Sequence, residues 1–363
     1  MKILKISYIN FRNLKDKNIN LSPGINLFVG KNGQGKTSIA EAMYFAATGK
    51  SFRTSKYSEI IKYNRLKSGC YIEYQDNLSD KSLSIKFNLE KKIYIYNKKN
   101  ISYEDYYGKL NVVSFIPEDI ELIVGSPSVR RRFFNSEISQ SNENYFYNIR
   151  QYNKLLKLRN KYLKSRNLKD DMYHIYEQEF IKYGSLIIQK RVEYVKNISI
   201  LLNLNYRKLF DDKKELNLNY SCFLGDIKKL ELHEIQKKFK ESIIKNYNRE
   251  MKYGYSFVGP QKDDFVFFLN EKEAKSFSSQ GEKKSIVFSL KLAELDMILK
   301  EKRENPVFII DDLSSYFDKI RKDNIINFLV RRNIQVMITS TEKFKINSKN
   351  FNVCEGDVCY EDN

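Results

Sequence analysis

Tryptophan is absent from this chain of 363 residues, and proline (5), histidine (2) and cysteine (4) are scarce. Cys70, Cys222, Cys354 and Cys359 are scattered, with no C-x-x-C pair, and the only histidines are His174 and His233. That inventory excludes a zinc module and argues against a disulfide framework, so the cysteines are expected to be buried small hydrophobes of a reducing, cytoplasmic compartment. No run approaches the ~18 apolar residues that span a bilayer. The N-terminus opens on an alternating strand pattern rather than a leader, so no membrane partner is expected. Negative charge is also short: 45 Asp and Glu stand against 64 Lys and Arg, a net +19. Hydrophobic residues at 42%, with 26 Tyr and 24 Phe, still suffice for a core and exclude global disorder. The richness in Lys, Asn, Ile and Tyr is a compositional bias, so the placement of charge carries more information than its total. The length allows one large unit with an insertion, or two to three units sharing a core.

Residues 3–29 hold three strand patterns, the last being Ile25 to Val29 after the turn Ser22-Pro23-Gly24. A glycine-rich loop and an apolar helix from about Thr37 to Ala47 follow, with Gly49 placed as a C-terminal cap. From Tyr71 to Tyr96 the period changes to two, predicting an antiparallel sheet. Apolar spacing of three and four over Tyr145–Leu163 and Met172–Leu204 predicts a pair of long helices, the second of arm or lid length. A strand near Leu216–Cys222 and a helix near Leu232–Tyr247 come next, and strand-helix alternation then resumes. The expected domains are an α/β core lobe of residues 1–120 and 305–363, interrupted by a helical lobe of residues 121–304.

Gly30-Lys31-Asn32-Gly33-Gln34-Gly35-Lys36-Thr37 matches GxxxxGK[ST] between a buried strand and a helix, the context a phosphate-binding loop requires. Its amides and the helix N-terminus suit phosphate oxygens. Lys36 is expected to reach the β and γ phosphates of ATP and the Thr37 hydroxyl to ligate Mg²⁺. Asn32 and Gln34 can equally be loop filler. Far downstream, Pro306 to Ile310 form an apolar strand ending in Asp311-Asp312. By position Asp311 is the metal-side acid and Asp312 the one that activates water; the plainer alternative is an N-cap for the next helix. Between these elements, Ser278-Ser279-Gln280-Gly281-Glu282 precedes an amphipathic helix, where Ser279 is either an ordinary N-cap or part of a signature loop.

The order of phosphate loop, S-x-G loop and acidic strand resembles the ABC ATPase heads. Finer motifs narrow this to the RecF family of SMC-like ATPases: Ile9-Asn10-Phe11-Arg12-Asn13, Gly49 to Thr54, Phe115 to Asp119, Gly125-Ser126-Pro127 with Arg130 to Arg132, Gly259-Pro260 with Asp263-Asp264, and Asp311-Asp312 with Ser315 and Asp318. The resemblance runs in order over nearly the whole chain. It implies an ABC-type P-loop head with a mixed sheet and an antiparallel β-subdomain, interrupted by a helical lobe. It further implies an ATP-dependent homodimer on double-stranded or gapped DNA that hydrolyses slowly and works with RecO and RecR to load RecA. Carried over by position, Gly30 to Thr37 bind ATP, and Arg12 approaches the nucleotide unless it is a surface arginine. Ser279, Gln280 and Gly281 engage the ATP of a second copy, and Asp318 lies in a dimer loop.

Some positions depart from the family pattern. Gln261-Lys262 stand where His-Arg is usual, Glu282-Lys283-Lys284 replace Gln-Gln-Arg, Asn135 replaces an aspartate, and Thr339-Ser340-Thr341 occupies the region of the transporters' switch histidine. These changes are expected to tune turnover rather than abolish it.

Eleven basic and two acidic residues lie between Leu122 and Lys169, a local net of 11 − 2 = +9. At ~100° per residue, Arg150, Lys154, Lys157, Lys161 and Lys164 share one helical face, opposite Tyr145, Ile149, Tyr152, Leu156 and Leu163. That face reads as a ridge for DNA phosphates or as a solvated lysine surface. Three functions remain open: a DNA-dependent ATPase switch, a nucleotide-binding DNA scaffold without turnover, and a small-molecule P-loop kinase.

Overall fold

The computed structural model describes residues 1–166 and 171–361. From the N-terminus, β1 (Lys2–Ile9), β2 (Lys17–Asn20) and β3 (Ile25–Val29) lead into α1 (Lys36–Thr48), then β4 (Lys67–Gln75), β5 (Asp80–Asn88), β6 (Lys92–Tyr96), β7 (Lys99–Ile101) and β8 (Val112–Phe115). The middle of the chain holds α2 (Pro127–Ser141), α3 (Glu143–Ser165), α4 (Asp171–Leu209), β9 (Leu216–Ser221), α5 (Leu232–Tyr253), β10 (Asp264–Leu269) and β11 (Lys272–Glu273). It closes with α6 (Gln280–Lys302), β12 (Val307–Ile310), α7 (Lys319–Val330), β13 (Val336–Ser340), β14 (Lys349–Cys354) and β15 (Asp357–Tyr360). The chain divides into two compact units: Met1–Asp119, Lys208–Asp212 and Lys284–Asn363 form one, and Ile120–Arg207 with Lys213–Lys283 form the other.

The first unit contains a six-stranded sheet of order β15-β14-β3-β13-β12-β8, parallel except for the edge strand β15. Strands covered on both faces need unbroken apolar runs, and every residue of β8, β12 and β13 is buried. A second, antiparallel sheet of order β2-β1-β4-β5-β6-β7 supplies alternating apolar residues such as Ile3, Ile6, Ile72, Leu83 and Ile85. Helix α1 belongs to the same core; its Ala40, Ala42, Ala46 and Ala47 permit close approach of its backbone to both sheets. It ends as expected at Gly49, whose φ of 71° suits glycine and whose N–H bonds the Phe45 carbonyl.

The second unit packs α2 to α5 with the antiparallel strands β9, β10 and β11. Both expected long helices are present and run a few residues further. Asn142 caps α3 by accepting from Tyr145 N at 2.7 Å, and Arg166, at φ 57°, ends it. The buried stripe of α3 is Tyr145, Ile149, Tyr152, Leu155, Arg159 and Leu163. Leu155 rather than Leu156 is thus the buried one of that pair, a shift of one position that periodicity alone does not resolve. Of the four cysteines, Cys70 and Cys222 are buried as expected, whereas Cys354 and Cys359 are exposed, because they sit on the uncovered face of the edge hairpin β14–β15.

Two buried guanidinium clusters hold the second unit together. Arg191 donates to Asp263 Oδ2 at 3.1 Å, Pro260 O at 2.8 Å, Tyr145 Oη at 3.1 Å and Asn135 Oδ1 at 2.9 Å. Asp263 also accepts from Phe223 N at 2.8 Å and from the Tyr220 hydroxyl. Burial pushes its carboxyl up, and Arg191 opposes that shift. Asn135 serves here as a neutral acceptor, so this contact does not require the family's carboxylate. Gln261 faces inward, receiving the Tyr152 hydroxyl and donating to Val258 O at 2.7 Å, while Lys262 stands 5.5 Å over the Tyr255 and Phe257 rings. Removing Arg191 takes from the buried Asp263 carboxylate its principal counter-charge. Arg191→Met is therefore expected to cost about 3–5 kcal/mol, read as a lower urea midpoint, and the double variant with Asp263→Asn should be more stable than the single one.

Candidate functional site

The phosphate-type loop connects β3 to α1. Gly33 and Gly35 take φ of 80° and 107°, conformations that favour glycine. At Gly30 the constraint is distance, since a Cβ there would lie 2.3 Å from the Val353 carbonyl oxygen. The loop is fastened to the turn between β14 and β15: Gln34 O accepts from Gly356 N at 2.9 Å, and Gln34 Oε1 accepts from Glu355 N at 2.5 Å. Gln34 is therefore a structural member of the loop rather than filler, a role invisible without its distant partner. Lys36 folds over the loop and donates to Gly30 O at 2.7 Å and Lys31 O at 3.0 Å. Burial lowers the pKa of its ammonium, against the opposing charges of Asp312 and Asp311.

Strand β12 delivers Asp311 and Asp312 beside this loop. Thr37 Oγ1 donates to Asp311 Oδ1 at 3.1 Å, joining residues 274 positions apart, and Thr339 Oγ1 donates to the same oxygen at 2.6 Å. Asp311 is buried, which raises its pKa, while the Thr339 and Thr37 hydroxyls pull it down. Asp312 adopts φ 54° and its N–H bonds Thr339 Oγ1 at 2.8 Å. Its carboxylate receives the Ser314 hydroxyl at 3.2 Å and the Ser315 hydroxyl, and makes no capping bond to a helical amide. The plain N-cap alternative for Asp312 is not what the side chain does. The Thr37 hydroxyl and Asp311 carboxylate form an adjacent pair of hard oxygen donors, a set that fits Mg²⁺ completed by phosphate and water oxygens.

A cleft of about 1010 Å³ is lined by Asn32, Gly33, Gly35, Lys36, Thr37 and Asp312 together with Arg12, Asn13, Arg53 and Tyr63. Arg12 is not a free surface arginine: it grips Glu41 through Nε at 2.9 Å and Nη2 at 2.6 Å, and donates to Glu59 O. Glu41 is fully buried in α1 and also receives Ser51 Oγ at 2.5 Å. Sequence reasoning named the Gly49–Thr54 segment and the Thr339–Thr341 stretch without giving Arg53 or Thr339 a role, and it missed Glu41. The first two had a signal in their motifs. Glu41 carries none until its partners are known.

Ser279, Gln280 and Gly281 lie in the second unit. Ser279 Oγ accepts from Glu282 N at 3.2 Å and Glu282 Oε2 accepts from Ser279 N at 2.7 Å, a reciprocal capping box at the start of α6. Glu282 preserves the acceptor that the family's glutamine would offer, and it also pairs with Lys214 at 2.7 Å. In the first unit, Asp318 caps α7 by accepting from Arg321 N at 3.0 Å and pairs with the Arg321 guanidinium at 2.8 Å; it does not line the cleft.

The basic stretch is less of a surface charge than its sequence count. Lys154, Lys157, Lys161 and Lys164 are exposed on α3, and Arg150 is half-buried with its guanidinium 5.7 Å over Phe146. Three arginines of the count turn inward. Arg159, 1% exposed, pairs with Glu250 at 2.7 Å and Glu177 at 3.2 Å; Arg130 pairs with Asp264 at 2.7 Å; Arg131 donates to Asp263 O at 2.6 Å. Lys169, also counted, lies outside the described residues. Among the described residues no helix is long and apolar enough to cross a membrane.

Comparison with known proteins places this geometry. The model of the RecF/RecN/SMC N terminal domain matches residues 2–355. The DNA replication and repair protein RecF of Clostridium tetani (strain Massachusetts / E88) is 36% identical over 344 residues, covering 94% of this chain and 92% of that protein. The one of Clostridium beijerinckii (strain ATCC 51743 / NCIMB 8052) is 34% identical over 366 residues, covering 99% and 98%. Among solved structures, the recombination mediator protein RecF-ATP in the RecFOR pathway superimposes with a TM-score of 0.92 at 30% identity, covering 99% of both chains. A SmcHead bound to the C-winged helix domain of ScpA matches at TM-score 0.58 and 14% identity, covering 99% and 97%, which shows the shared head fold. With the phosphate-type loop, the acidic strand and the S-x-G loop all present in that fold, the chain belongs to the RecF family of ABC-type ATPase heads.

Proposed function

We propose that this chain is an ATP-dependent DNA-binding protein of recombinational repair, a weak ATPase whose nucleotide state controls its hold on DNA. The observation that carries this reading is the meeting of Thr37 with Asp311 at 3.1 Å, in a cleft that also holds Lys36 and Asp312. A phosphate-binding lysine, a hydroxyl, a buried carboxylate and a second carboxylate are the parts that phosphoryl transfer to water uses. Gly30 to Thr37 bind the phosphates of ATP, and Lys36 exchanges its loop carbonyls for phosphate oxygens. Thr37 and Asp311 hold Mg²⁺, which when bound neutralises charge on the phosphates. Asp312 orients the attacking water and takes its proton. Arg12, fixed by Glu41, lends positive charge at the cleft wall.

In this reading Ser279, Gln280 and Gly281 close over the nucleotide of a second copy and Asp318 lies at that interface, so that ATP drives homodimerisation. The lysine ridge of α3 binds the phosphates of double-stranded or gapped DNA, and hydrolysis reopens the dimer. The solved RecF-ATP relative is a recombination mediator protein in the RecFOR pathway; RecO and RecR are accordingly the proposed partners here, with loading of RecA the proposed outcome.

One observation favours a scaffold without significant turnover. Both oxygens of Asp312 already accept serine hydroxyls, which leaves fewer lone pairs to receive a water. Single-turnover hydrolysis with duplex DNA separates the two readings. Asp312→Asn is expected to lower the rate about 10²–10⁴-fold while ATP affinity stays within about threefold; equal background rates in both proteins establish the scaffold instead. For the ridge, the triple change of Lys154, Lys157 and Lys161 to Glu should weaken duplex binding at low salt. It should also flatten the slope of log affinity against log salt by about 0.9 for each phosphate that the ridge no longer neutralises. ATP affinity should be unmoved. Unchanged DNA affinity returns α3 to a solvated face.

A further inference from the structure

We propose that Thr339 is the positioning residue of the acidic pair, its hydroxyl setting where both Asp311 and Asp312 stand. The inference rests on reading the cleft as a site of ATP hydrolysis. A threonine hydroxyl has one hydrogen to give and two lone pairs to receive with. Here the hydrogen goes to Asp311 Oδ1 at 2.6 Å, and a lone pair receives the Asp312 N–H at 2.8 Å. The side chain is 1% exposed, so water does not compete for either bond. One neutral group thereby links the carboxylate of the first acid to the backbone of the second.

Each half has a separate consequence. Asp311 receives two hydroxyls on one oxygen, from Thr37 at 3.1 Å and from Thr339 at 2.6 Å. Thr37 is the one whose oxygen a cation would also claim, which leaves Thr339 as the contact that keeps Asp311 in place when the site is loaded. Asp312 needs help of another kind. Its φ of 54° is a left-handed conformation that is disfavoured for a residue with a Cβ. The bond from its N–H to Thr339 offsets that cost and holds the turn after β12.

The same short segment reaches Asp312 a second time. Thr341 N donates to Ser314 Oγ at 3.0 Å, and Ser314 Oγ donates to Asp312 Oδ1 at 3.2 Å. Strand β13 thus contacts the backbone of Asp312 through Thr339, and Thr341, just beyond the end of the strand, reaches its carboxylate through Ser314. The register makes this obligatory, because Ile338 lies opposite Ile310 and the next residue of each strand comes level. Threonine rather than serine suits the place, since β-branching fixes χ1 and with it the direction of the hydroxyl.

Thr339→Val keeps the shape and deletes the hydroxyl; Thr339→Ser keeps the hydroxyl. In the full chain, the Mg²⁺ concentration for half-maximal thermal stabilisation by ATP is measured beside ATP affinity in EDTA and single-turnover hydrolysis. Thr339→Val should raise the Mg²⁺ midpoint and lower hydrolysis, each about 10–100-fold, with EDTA affinity within about threefold, and Thr339→Ser should recover most of both effects. Ser314→Ala should slow hydrolysis while leaving the Mg²⁺ midpoint where it is, and it reports on Asp312 even if the valine variant fails to fold. The proposal is overturned if Thr339→Val, melting like the parent without nucleotide, matches it in midpoint and rate, or if the serine variant is as impaired as the valine. A parent that does not hydrolyse ATP at all defeats the turnover reading alone, because the Mg²⁺ midpoint still reports on Asp311.

Discussion

The register of four neighbouring parallel strands is the constraint on which the rest of this molecule depends. Val29 of β3 pairs with Ser340 of β13, and Ile310 of β12 pairs with Ile338 of β13 and with Phe115 of β8. Parallel strands so aligned end at one level, and whatever follows each strand meets there. Gly30 N bonds Ser340 O at 3.2 Å and Asp311 N bonds Phe115 O at 2.9 Å, so the ladder continues into the first residue of each functional loop. A slip of one residue in β13 would turn Thr339 away from both acids and bring a different side chain to them. The strands are buried on both faces, which fixes that register through packing as well as through hydrogen bonds.

What could be read from the sequence follows from the range of each interaction. The loop Gly30 to Thr37 was legible because its residues act within one turn of chain, and the acidic strand because an apolar run followed by two acids is itself a local pattern. The long helices announced themselves through their spacing. Thr339 was noted only for standing in the region of a switch histidine, since a threonine at the end of a strand has no legible role until the opposing strand is known, and the side-chain partner of Gln34 lies 321 residues away. The count of basic residues around α3 overstated the charge left outside for the same reason, although the four lysines of the expected ridge are exposed. A helical wheel sees one helix, and Glu250, which neutralises Arg159, comes from α5. The exposed cysteines were misjudged because hairpin edges are invisible to composition.

The division of labour between the two kinds of cation follows their chemistry. Arg159 and Arg191 are the largest side chains wholly covered by the fold, and each spreads its planar guanidinium over several acceptors at once. Arg12 does likewise toward Glu41. A lysine ammonium is more strongly hydrated and lacks the fork, so it is costlier to bury and less able to satisfy a cluster of acceptors. The lysines of α3 remain in water. Around α3, Arg159 and Arg191 serve internal geometry, while Lys154, Lys157, Lys161 and Lys164 define the field outside.

The attachment of the phosphate-type loop to the turn after β14 bears on how the protein is made. The contact between Gln34 and Glu355 spans 321 residues, and β3 takes its place in the sheet between β13 and β14. During synthesis the loop emerges early and waits, at ribosomal rates for roughly 16 to 64 s, for the strands that shape it. Until then the nascent chain carries the motif without the site. A ligand stabilises only what it binds, so on the proposed reading of the cleft ATP favours only chains in which β14 has taken its place, and the pocket is a late marker that translation has passed that strand.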